Sequence, residues 1–450
     1  MPVRNLQILL ILILVCGACY IQAERLKYAG KIGTAIQLIE QNYVESKDPE
    51  DLYLAAMEGI VSELDQFSEF IPPKRYQEFQ SVIEQKFGGL GVLIEGPPAA
   101  PRLTVVAPIP GTPAFNAGLQ AGDMILEING VSTEGLSATD ATQIMRGPVG
   151  EDVELLVQGM NTANQQRLTI RRDDIQVDSV YGDRIQADSS WNYFIEEDPR
   201  IAYIRITLFG ERTVGEFEKA LAAIRSDAQA LVLDLRYNPG GILPTAVEMC
   251  DMLIDSGVIV STRGRRAIFG AEFDATSRLE LDLSIPIVLL VNDQSASASE
   301  IMAGCLQDLG RAEIAGQRSY GKGTVQQVFE LENDQTALKF TTARFYRPSG
   351  KNIHRTEKMN AEDEWGITPE PALTLPLEPI QEIYLNRRWQ YRGDPRIMAS
   401  TERAPAPPFA GDPQLALAVE RLQQELGGQP VPASSASQRQ AQPETVGTTQ

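Results

Sequence analysis

The fold is set by residues 285–310, whose sequence is IPIVLLVNDQSASASEIMAGCLQDLG. The first seven residues are apolar and rich in β-branched side chains, which is typical of a buried strand in a mostly parallel sheet. Beyond the serine cluster, apolar residues recur at helical spacing as far as Gly310. The pattern predicts a strand, a serine-rich turn and a helix. Amide N–H groups at the start of that helix could stabilise a developing oxyanion.

The serine cluster has two interpretations. Ser297 and Glu300 have the spacing of a capping box, in which each side chain satisfies an amide of the first helical turn. The alternative is a catalytic nucleophile at the strand-to-helix turn. The residues alone do not separate Ser297 from Ser295 or Ser299.

A candidate base follows in residues 321–326, GKGTVQ, where glycines on both sides of Lys322 allow close approach of the backbone. Strand-like alternation after it predicts Lys322 and Gln326 on one face. A solvated turn lysine is the other interpretation. A Ser–Lys pair needs a neutral amine, so the lysine pKa must fall from about 10.4 toward about 7–8. His354, the only histidine, is the one candidate base for a Ser-His-Asp arrangement, and no orienting carboxylate is evident beside it.

The SASASE and GKGTVQ motifs, within residues 291–326, resemble those of the C-terminal processing (tail-specific) proteases, the S41 serine peptidases. The resemblance implies that Ser297 is the nucleophile, that Lys322 is the general base and that Gln326 supports the lysine. The separation of 25 residues between Ser297 and Lys322 also matches the family.

The same resemblance implies an α/β crotonase-like (ClpP-like) protease core. Within it, the turn 238–241, NPGG, is expected to donate an amide to the oxyanion hole, from Gly240 or Gly241, with the Ala298 N–H as its partner. Taken alone, that sequence predicts only a tight turn.

Residues 87–172 resemble a PDZ domain (α+β) in the circularly permuted form of bacterial proteases, inserted before the core. Their FGGLGV start implies a nest of amides that binds a terminal carboxylate; its residues are Gly89, Leu90, Gly91 and Val92. Arg146, in the loop MRGPVG, either couples this domain to the active site or is a solvated loop residue. No nucleotide-binding motif is present.

The chain divides into five predicted segments. An apolar run of 14 residues, 8–21, follows Arg4 and is short for a spanning helix, which favours a signal peptide over a membrane anchor. The segments are 1–25, signal peptide or membrane anchor; 26–86, N-terminal helical region; 87–172, PDZ domain; 173–395, S41 protease domain; and 396–450, linker, short helix and disordered tail.

Charge and cysteines limit the partners. The formal net charge of −20 argues against chain-wide binding to nucleic acid. Cys250 and Cys305 lack the spacing of a metal site, and we expect neither metal nor cofactor. The expected partner is a protein or peptide substrate with an exposed C-terminus. A homo-oligomer and membrane anchoring through the N-terminal segment are compatible with the sequence.

The sequence thus predicts an exported, periplasmic or otherwise extracytoplasmic serine endopeptidase that recognises C-terminal tails through its PDZ domain and cleaves upstream of them. The alternative is a non-catalytic PDZ-containing peptide-binding or scaffold protein. An α/β hydrolase acting on esters is disfavoured, because no Gly-x-Ser-x-Gly motif surrounds the serine cluster.

Overall fold

A computed structural model of the chain describes residues 3–97, 100–159, 164–186, 188, 190–331, 335–360, 362–393 and 412–427. The predicted linker at 404–408 and the predicted disordered tail beyond residue 427 lie outside these residues. The chain forms two compact units, Met1–Gln77 with Gln326–Thr342, and Glu78–Val325 with Ala343–Gln450.

The described α-helices are numbered along the chain. They are α1 (Val3–Asn42), α2 (Pro49–Val61), α3 (Pro73–Glu84), α4 (Pro113–Asn116), α5 (Ala138–Met145), α6 (Thr213–Ile224), α7 (Leu243–Asp251), α8 (Ala298–Asp308), α9 (Pro379–Arg392) and α10 (Pro413–Glu425).

The strands are numbered in the same way. They are β1 (Glu69–Ile71), β2 (Lys86–Gly89), β3 (Val92–Glu95), β4 (Thr104–Pro108), β5 (Met124–Ile128), β6 (Val131–Ser132), β7 (Asp152–Gln158), β8 (Gln165–Arg171), β9 (Asp173–Gln176), β10 (Val180–Tyr181), β11 (Arg184–Ile185), β12 (Trp191–Asn192), β13 (Ile201–Ile206), β14 (Ala230–Asp234), β15 (Val258–Gly264), β16 (Ala271–Asp274), β17 (Ile287–Val291), β18 (Ala312–Gly316), β19 (Thr324–Leu331) and β20 (Thr336–Tyr346).

The first compact unit contains the long helix α1 and the shorter helix α2. Asp48 caps α2 by accepting a hydrogen bond from the Glu50 N–H at 2.9 Å, and Pro49 occupies the first helical turn, where its missing N–H costs nothing. Strand β1 pairs antiparallel with residues 337–339 of β20. No described helix combines the length and the apolar composition needed to cross a membrane.

The second compact unit contains a mostly parallel sheet in the order β10-β13-β14-β17-β18, with β13, β14, β17 and β18 parallel. Alternate strand residues enter two different cores, as the strand period of two requires. On one face, Ala202 and Ile204 pack with α6, α7 and α8. On the other face, Ile201 and Tyr203 pack with α10. Burial on both faces explains why β17 is apolar throughout and why β14 is apolar up to its last residue, Asp234.

A smaller antiparallel sheet in the order β3-β4-β5-β7-β8 precedes the mostly parallel sheet, and β6 pairs with β5. Its core contains Leu90, Leu103 and Leu155 together with residues of α4 and α5. Among the described strands, β3 pairs only with β4, so it is an edge strand.

The elements predicted around the serine cluster are confirmed: β17 and α8 lie where the sequence placed them, within two residues of the expected ends. The short helix predicted near the C-terminus is also confirmed, as α10. Its burial against the mostly parallel sheet was not predicted. Strand β1 was missed because it has only three residues and its partner lies about 270 positions later.

Candidate active site

The serine cluster lies at the C-terminal edge of the mostly parallel sheet. β17 ends at Val291 and α8 begins at Ala298, so Ser297 stands directly before the helix. The neighbouring strand β14 ends at Asp234 and leads into the turn 238–241. Parallel neighbours end at the same edge, so the two turns meet there, in the usual position of a site in an α/β sheet.

Ser297 has a backbone conformation that serines rarely adopt, with φ +56° and ψ −113°. Strain of this kind in a non-glycine residue is concentrated at functional sites. Ser297 is half-buried, whereas Ser295 and Ser299 are fully buried. Their hydroxyls donate to the carbonyl oxygens of Leu235 (2.8 Å) and Asn238 (2.9 Å). The structure therefore distinguishes Ser297 from its neighbours, which the sequence alone could not do.

The turn 238–241 packs directly against Ser297. A Cβ on Gly240 would lie 2.8 Å from both the Ser297 Cβ and the Ala298 N atom, and a Cβ on Gly241 would lie 2.2 Å from the Phe209 carbonyl oxygen. The two glycines have φ of +99° and +146°. Close contact and backbone conformation both require glycine at these positions.

The backbone amides at this contact differ in whether their N–H group already has a hydrogen-bond acceptor. The Gly240 N–H donates to the Asn238 side-chain oxygen at 2.9 Å. The N–H groups of Gly241 and Ala298 donate to no other residue in the part of the chain that the structure describes. Ala298 is the first residue of α8, where helix geometry leaves the N–H without an internal acceptor. Of the two glycines that the sequence left open, Gly241 has the available amide.

Glu300 joins the serine turn to the lysine segment. Its carboxylate is fully buried, and one oxygen accepts hydrogen bonds from the N–H groups of Ser297 (2.9 Å) and Lys322 (2.8 Å). The other oxygen accepts from the Gly321 N–H (2.6 Å) and the Ser319 hydroxyl (2.5 Å). Burial raises the pKa of the Glu300 carboxyl, although these hydrogen bonds oppose the shift. The main chains of Ser297 and Lys322 therefore converge on a single oxygen atom.

Lys322 is half-buried in a tightly packed segment. A Cβ on Gly321, whose φ is +88°, would lie 2.8 Å from the Arg355 Cβ, and a Cβ on Gly323 would lie 2.6 Å from the His354 N atom. The glycines on either side of the lysine are thus required by packing against residues 354–355. The main chain of His354 is therefore in close contact with the segment that carries Lys322.

Gln326 lies in the first compact unit, as the third residue of β19, and is half-buried. Its side-chain amide donates to the Thr341 hydroxyl at 3.0 Å. Lys322 precedes the first residue of β19, Thr324, by two positions. Strand alternation therefore does not fix the direction of the lysine relative to Gln326, contrary to the expectation from the sequence.

The expected carboxylate nest lies at the open edge of the antiparallel sheet, where β3 begins at Val92. Gly89 ends β2, Leu90 is buried in the core, and Gly91 has φ +74°. The Thr112 hydroxyl donates to the Gly91 carbonyl at 2.9 Å. Among the described residues, no acceptor takes the N–H of Leu90 or Gly91. Two consecutive amides are thus available beside an edge strand, as a bound chain end would require.

Arg146 follows α5, and its guanidinium lies 4.5 Å from the centre of the Phe87 ring. Together with Gln85, Thr207 and Leu208 it lines a cavity of about 220 Å³. Thr207 and Leu208 directly follow β13. Arg146 therefore lies where the antiparallel sheet adjoins the mostly parallel sheet, and not in an isolated solvated loop.

Two features were not anticipated as parts of the site. Glu300 had been interpreted only as a helix cap. Arg236, just before the turn 238–241, is fully buried between Asp234 and Asp412, and no sequence pattern signalled a contact across 176 positions. In the described part of the chain, no group of three or more His, Cys, Asp or Glu side chains is arranged to hold a metal ion.

Two protein-family models match the segments that contain the two sheets. The family model for peptidase family S41 matches residues 200–370, which include β13, β14, β17 and β18. The PDZ domain model matches residues 104–159, which include β4, β5 and β7 of the antiparallel sheet.

Curated relatives match most of the chain. It is 35% identical over 356 residues to a carboxy-terminal-processing protease of Bartonella bacilliformis, covering 78% of this chain and 76% of the relative. It is 32% identical to a carboxyl-terminal-processing protease of Synechocystis, covering 79% of each. A solved structure of an S41 protein from Bacteroides fragilis shares the fold at 15% identity, with a TM-score of 0.50 over 88% of this chain and 97% of that chain.

Proposed function

This chain belongs to the carboxy-terminal processing proteases of peptidase family S41 and carries a PDZ domain, and on that premise we propose that it is a Ser–Lys endopeptidase that cleaves proteins upstream of an exposed C-terminal tail. The observation that carries the proposal is the buried carboxylate of Glu300, which binds the main chains of Ser297 and Lys322 on one oxygen. The two N atoms are consequently no more than about 6 Å apart. A carboxylate that acted only as a helix cap would have no need to bind the Lys322 N–H as well.

In the first step, the neutral amine of Lys322 accepts the proton of the Ser297 hydroxyl as that oxygen attacks the peptide carbonyl. Lys322 then returns the proton to the leaving amine, and water hydrolyses the acyl-enzyme. Gln326 supports the lysine. Glu300 is a positioning residue in this scheme, because its contacts are with the main chain of the two reacting residues.

The carbonyl oxygen becomes negatively charged during the attack. We assign the stabilisation of this oxyanion to the N–H groups of Gly241 and Ala298. The positive N-terminal end of the α8 dipole contributes to the same stabilisation. The Gly240 amide, already bonded to Asn238, has a supporting role in holding the turn.

Substrate tails are proposed to add to the edge strand β3 of the PDZ domain, with the terminal carboxylate bound by the amides of residues 89–92. Arg146 couples that domain to the protease core through its position near Thr207 and Leu208. The substrates are accordingly proteins or peptides with an accessible C-terminus.

We propose a crotonase-like (ClpP-like) core at 173–395, a PDZ domain at 87–172 and an N-terminal helical region at 26–86. We also propose export to an extracytoplasmic compartment, directed by residues 1–25 as a signal peptide or membrane anchor. The apolar run at 8–21 supports that part of the proposal. Self-association is a further expectation.

The test is cleavage of a protein that ends in an apolar tail, with a fluorophosphonate probe used in parallel to detect an activated serine. We expect Ser297→Ala and Lys322→Ala each to lower kcat by more than about 10³-fold. Tail affinity in both variants should stay within about twofold of wild type, because the proposed tail site lies on the other sheet.

His354→Gln is the matched control, because it removes the only rival base beside the lysine segment, and we expect it to retain turnover. Full activity in Ser297→Ala would remove the dyad from the mechanism. A wild-type protein that binds tails but neither cleaves them nor reacts with the probe would be the non-catalytic scaffold.

A further inference from the structure

We propose that the C-terminal helix α10 is a positioning element for the oxyanion turn, acting through Asp412 on the buried guanidinium of Arg236. The inference rests on the proposed function and deepens it, because it adds a residue to the same reaction. Asp412 lies well beyond residue 370, where the S41 family match ends.

Every donor of the Arg236 guanidinium is used, three of them by Asp412 and Gln414 and two by Asp234. Asp412 accepts from Nη1 at 2.8 Å and from Nη2 at 2.9 Å. Asp234 accepts from Nε at 2.9 Å and from Nη2 at 2.5 Å, and the Gln414 side-chain oxygen accepts from Nη1 at 3.0 Å. An arginine has five N–H donors in a fixed plane, so these five bonds define its position completely.

Burial makes this arrangement dependent on both carboxylates. The side chains of Arg236, Asp234 and Asp412 are 0% exposed. Burial by itself would lower the pKa of Arg236, but Asp234 and Asp412 together raise that pKa well above its ordinary value. Removing one carboxylate would leave a buried guanidinium with incomplete pairing, a disruption that neighbouring groups can relieve only by moving.

The position of Arg236 affects the oxyanion turn through the main chain that follows it. The next residue, Tyr237, has φ +59°, and its N–H donates to the Asn292 side chain at 2.9 Å. The Asn238 carbonyl accepts from the Ala296 N–H at 3.1 Å, so the turn is bonded to the segment before Ser297. A shift of the Arg236 side chain would therefore move the turn that carries Gly241.

The other end of the contact is equally well fixed. Asp412 caps α10 by accepting from the Leu415 N–H at 3.0 Å. Leu415 and Ala418, in the first two turns of α10, are fully buried in the core between α10 and the sheet. Helix α10 therefore holds Asp412 rigidly against Arg236, and the catalytic geometry depends on a helix outside the matched family region.

The test is Asp412→Asn in the full-length chain. Asparagine has the same shape and can still cap α10, but its amide group places donors against the donors of Arg236. We expect kcat to fall at least about tenfold, with KM and tail affinity within about twofold of wild type, as for a displaced oxyanion donor. Asp412→Glu, which restores the charge, should recover part of the lost kcat.

Leu422→Ala is the matched control, because it removes packing from the same helix without touching Arg236. We expect it to lower Tm at least as much as Asp412→Asn does, while kcat measured well below Tm stays within about twofold of wild type. Gln414→Met is the second variant if Asp412→Asn does not fold, and a kcat loss of about threefold or more is expected from it.

The inference is overturned if kcat in the Asp412 and Gln414 variants matches that of Leu422→Ala at equal Tm, because α10 would then act only on stability. Fluorophosphonate labelling of Ser297 separates this failure from a failure of the proposed function. A labelled wild type and an Asp412→Asn variant labelled at the same rate would sink the inference alone. An unlabelled wild type would sink both.

Discussion

The protein has two glycine-containing turns with available backbone amides, and they are held in very different ways. Turn 89–92 rests on an apolar core, with Leu90 buried and one hydroxyl contact from Thr112. Turn 238–241 is fixed by the serine turn and by the buried ionic group around Arg236. A turn that binds a carboxylate tolerates small adjustments, whereas one that stabilises a transition state must be held to within about 0.5 Å.

The largest effect should come from exchanging glycine for alanine in each turn. In Gly241→Ala, the new Cβ would lie 2.2 Å from the Phe209 carbonyl oxygen, a clash expected to displace the proposed oxyanion donor. We expect kcat to fall by about 10²- to 10³-fold with unchanged tail affinity. In Gly91→Ala, the new Cβ would lie 2.3 Å from the Thr112 Cβ. Here we expect tail affinity to fall about tenfold or more with kcat at saturation nearly unchanged. Steady-state kinetics and calorimetric tail binding give both values.

Gly150→Ala is the control for both variants. Its φ of +89° carries the same backbone strain, but no atom lies within 4 Å of the new Cβ. It should lose only about 1 kcal/mol of stability and no function. If Gly241→Ala affected tail binding and not kcat, the two turns would have exchanged roles and the comparison would fail.

Glu300→Gln should have the next largest effect, and only on the catalytic turn. A glutamine has one acceptor oxygen where the carboxylate has two, so its NH₂ group would face N–H donors. We expect kcat to fall about 10²-fold and the free energy of unfolding to fall by about 1–3 kcal/mol, with tail affinity unchanged. Kinetics and chemical denaturation are the measurements.

The matched control for that change is Glu364→Gln, because the Glu364 side chain is 81% exposed and should alter neither quantity. Equal losses of kcat and tail affinity in Glu300→Gln would mean that Glu300 stabilises the whole unit and does not act selectively on the site.

The smallest effect is a difference in pH dependence between the two turns. Burial raises the pKa of Glu300, so as the pH falls this group takes up a proton earlier than an ordinary glutamate at about 4.3. Protonation of the general base Lys322 by itself lowers kcat about tenfold per pH unit. Only the carboxylate form of Glu300 accepts the four hydrogen bonds, so below that raised pKa the decrease should steepen to about a hundredfold per pH unit. Tail binding should persist to lower pH, because a chain-terminal carboxyl titrates at about 3.3–3.7.

The measurement is a pair of profiles, kcat and tail affinity, between about pH 4 and 7. Coincident acid limbs would show that a shared event, such as unfolding, controls both turns. A kcat limb that lies at higher pH than the tail-binding limb, and whose slope changes from about one to about two as the pH falls, would assign the second protonation to the Glu300 carboxyl group.

Elements formed by one continuous segment could be predicted from the sequence, whereas contacts between distant segments could not. β17 and α8 were predicted because their apolar periods are contained in one continuous segment. The backbone strain at Ser297 was not predictable, since it occurs where the turn that contains Gly240, far earlier in the chain, packs against Ser297. The ion pair between Asp412 and Arg236 could not be predicted for a different reason, because neither residue lies in a distinctive motif. The pair matters because both side chains are buried, which only the folded structure shows.

The burial of α10 also affects how this enzyme can be produced in pieces. A fragment that stopped at residue 370, where the match to the S41 family model ends, would omit α10 and expose the face of the sheet that Leu415, Ala418 and Leu422 cover. An uncovered apolar surface of that kind promotes aggregation. Recombinant fragments intended for crystallisation or inhibitor screening should accordingly retain the chain through residue 427.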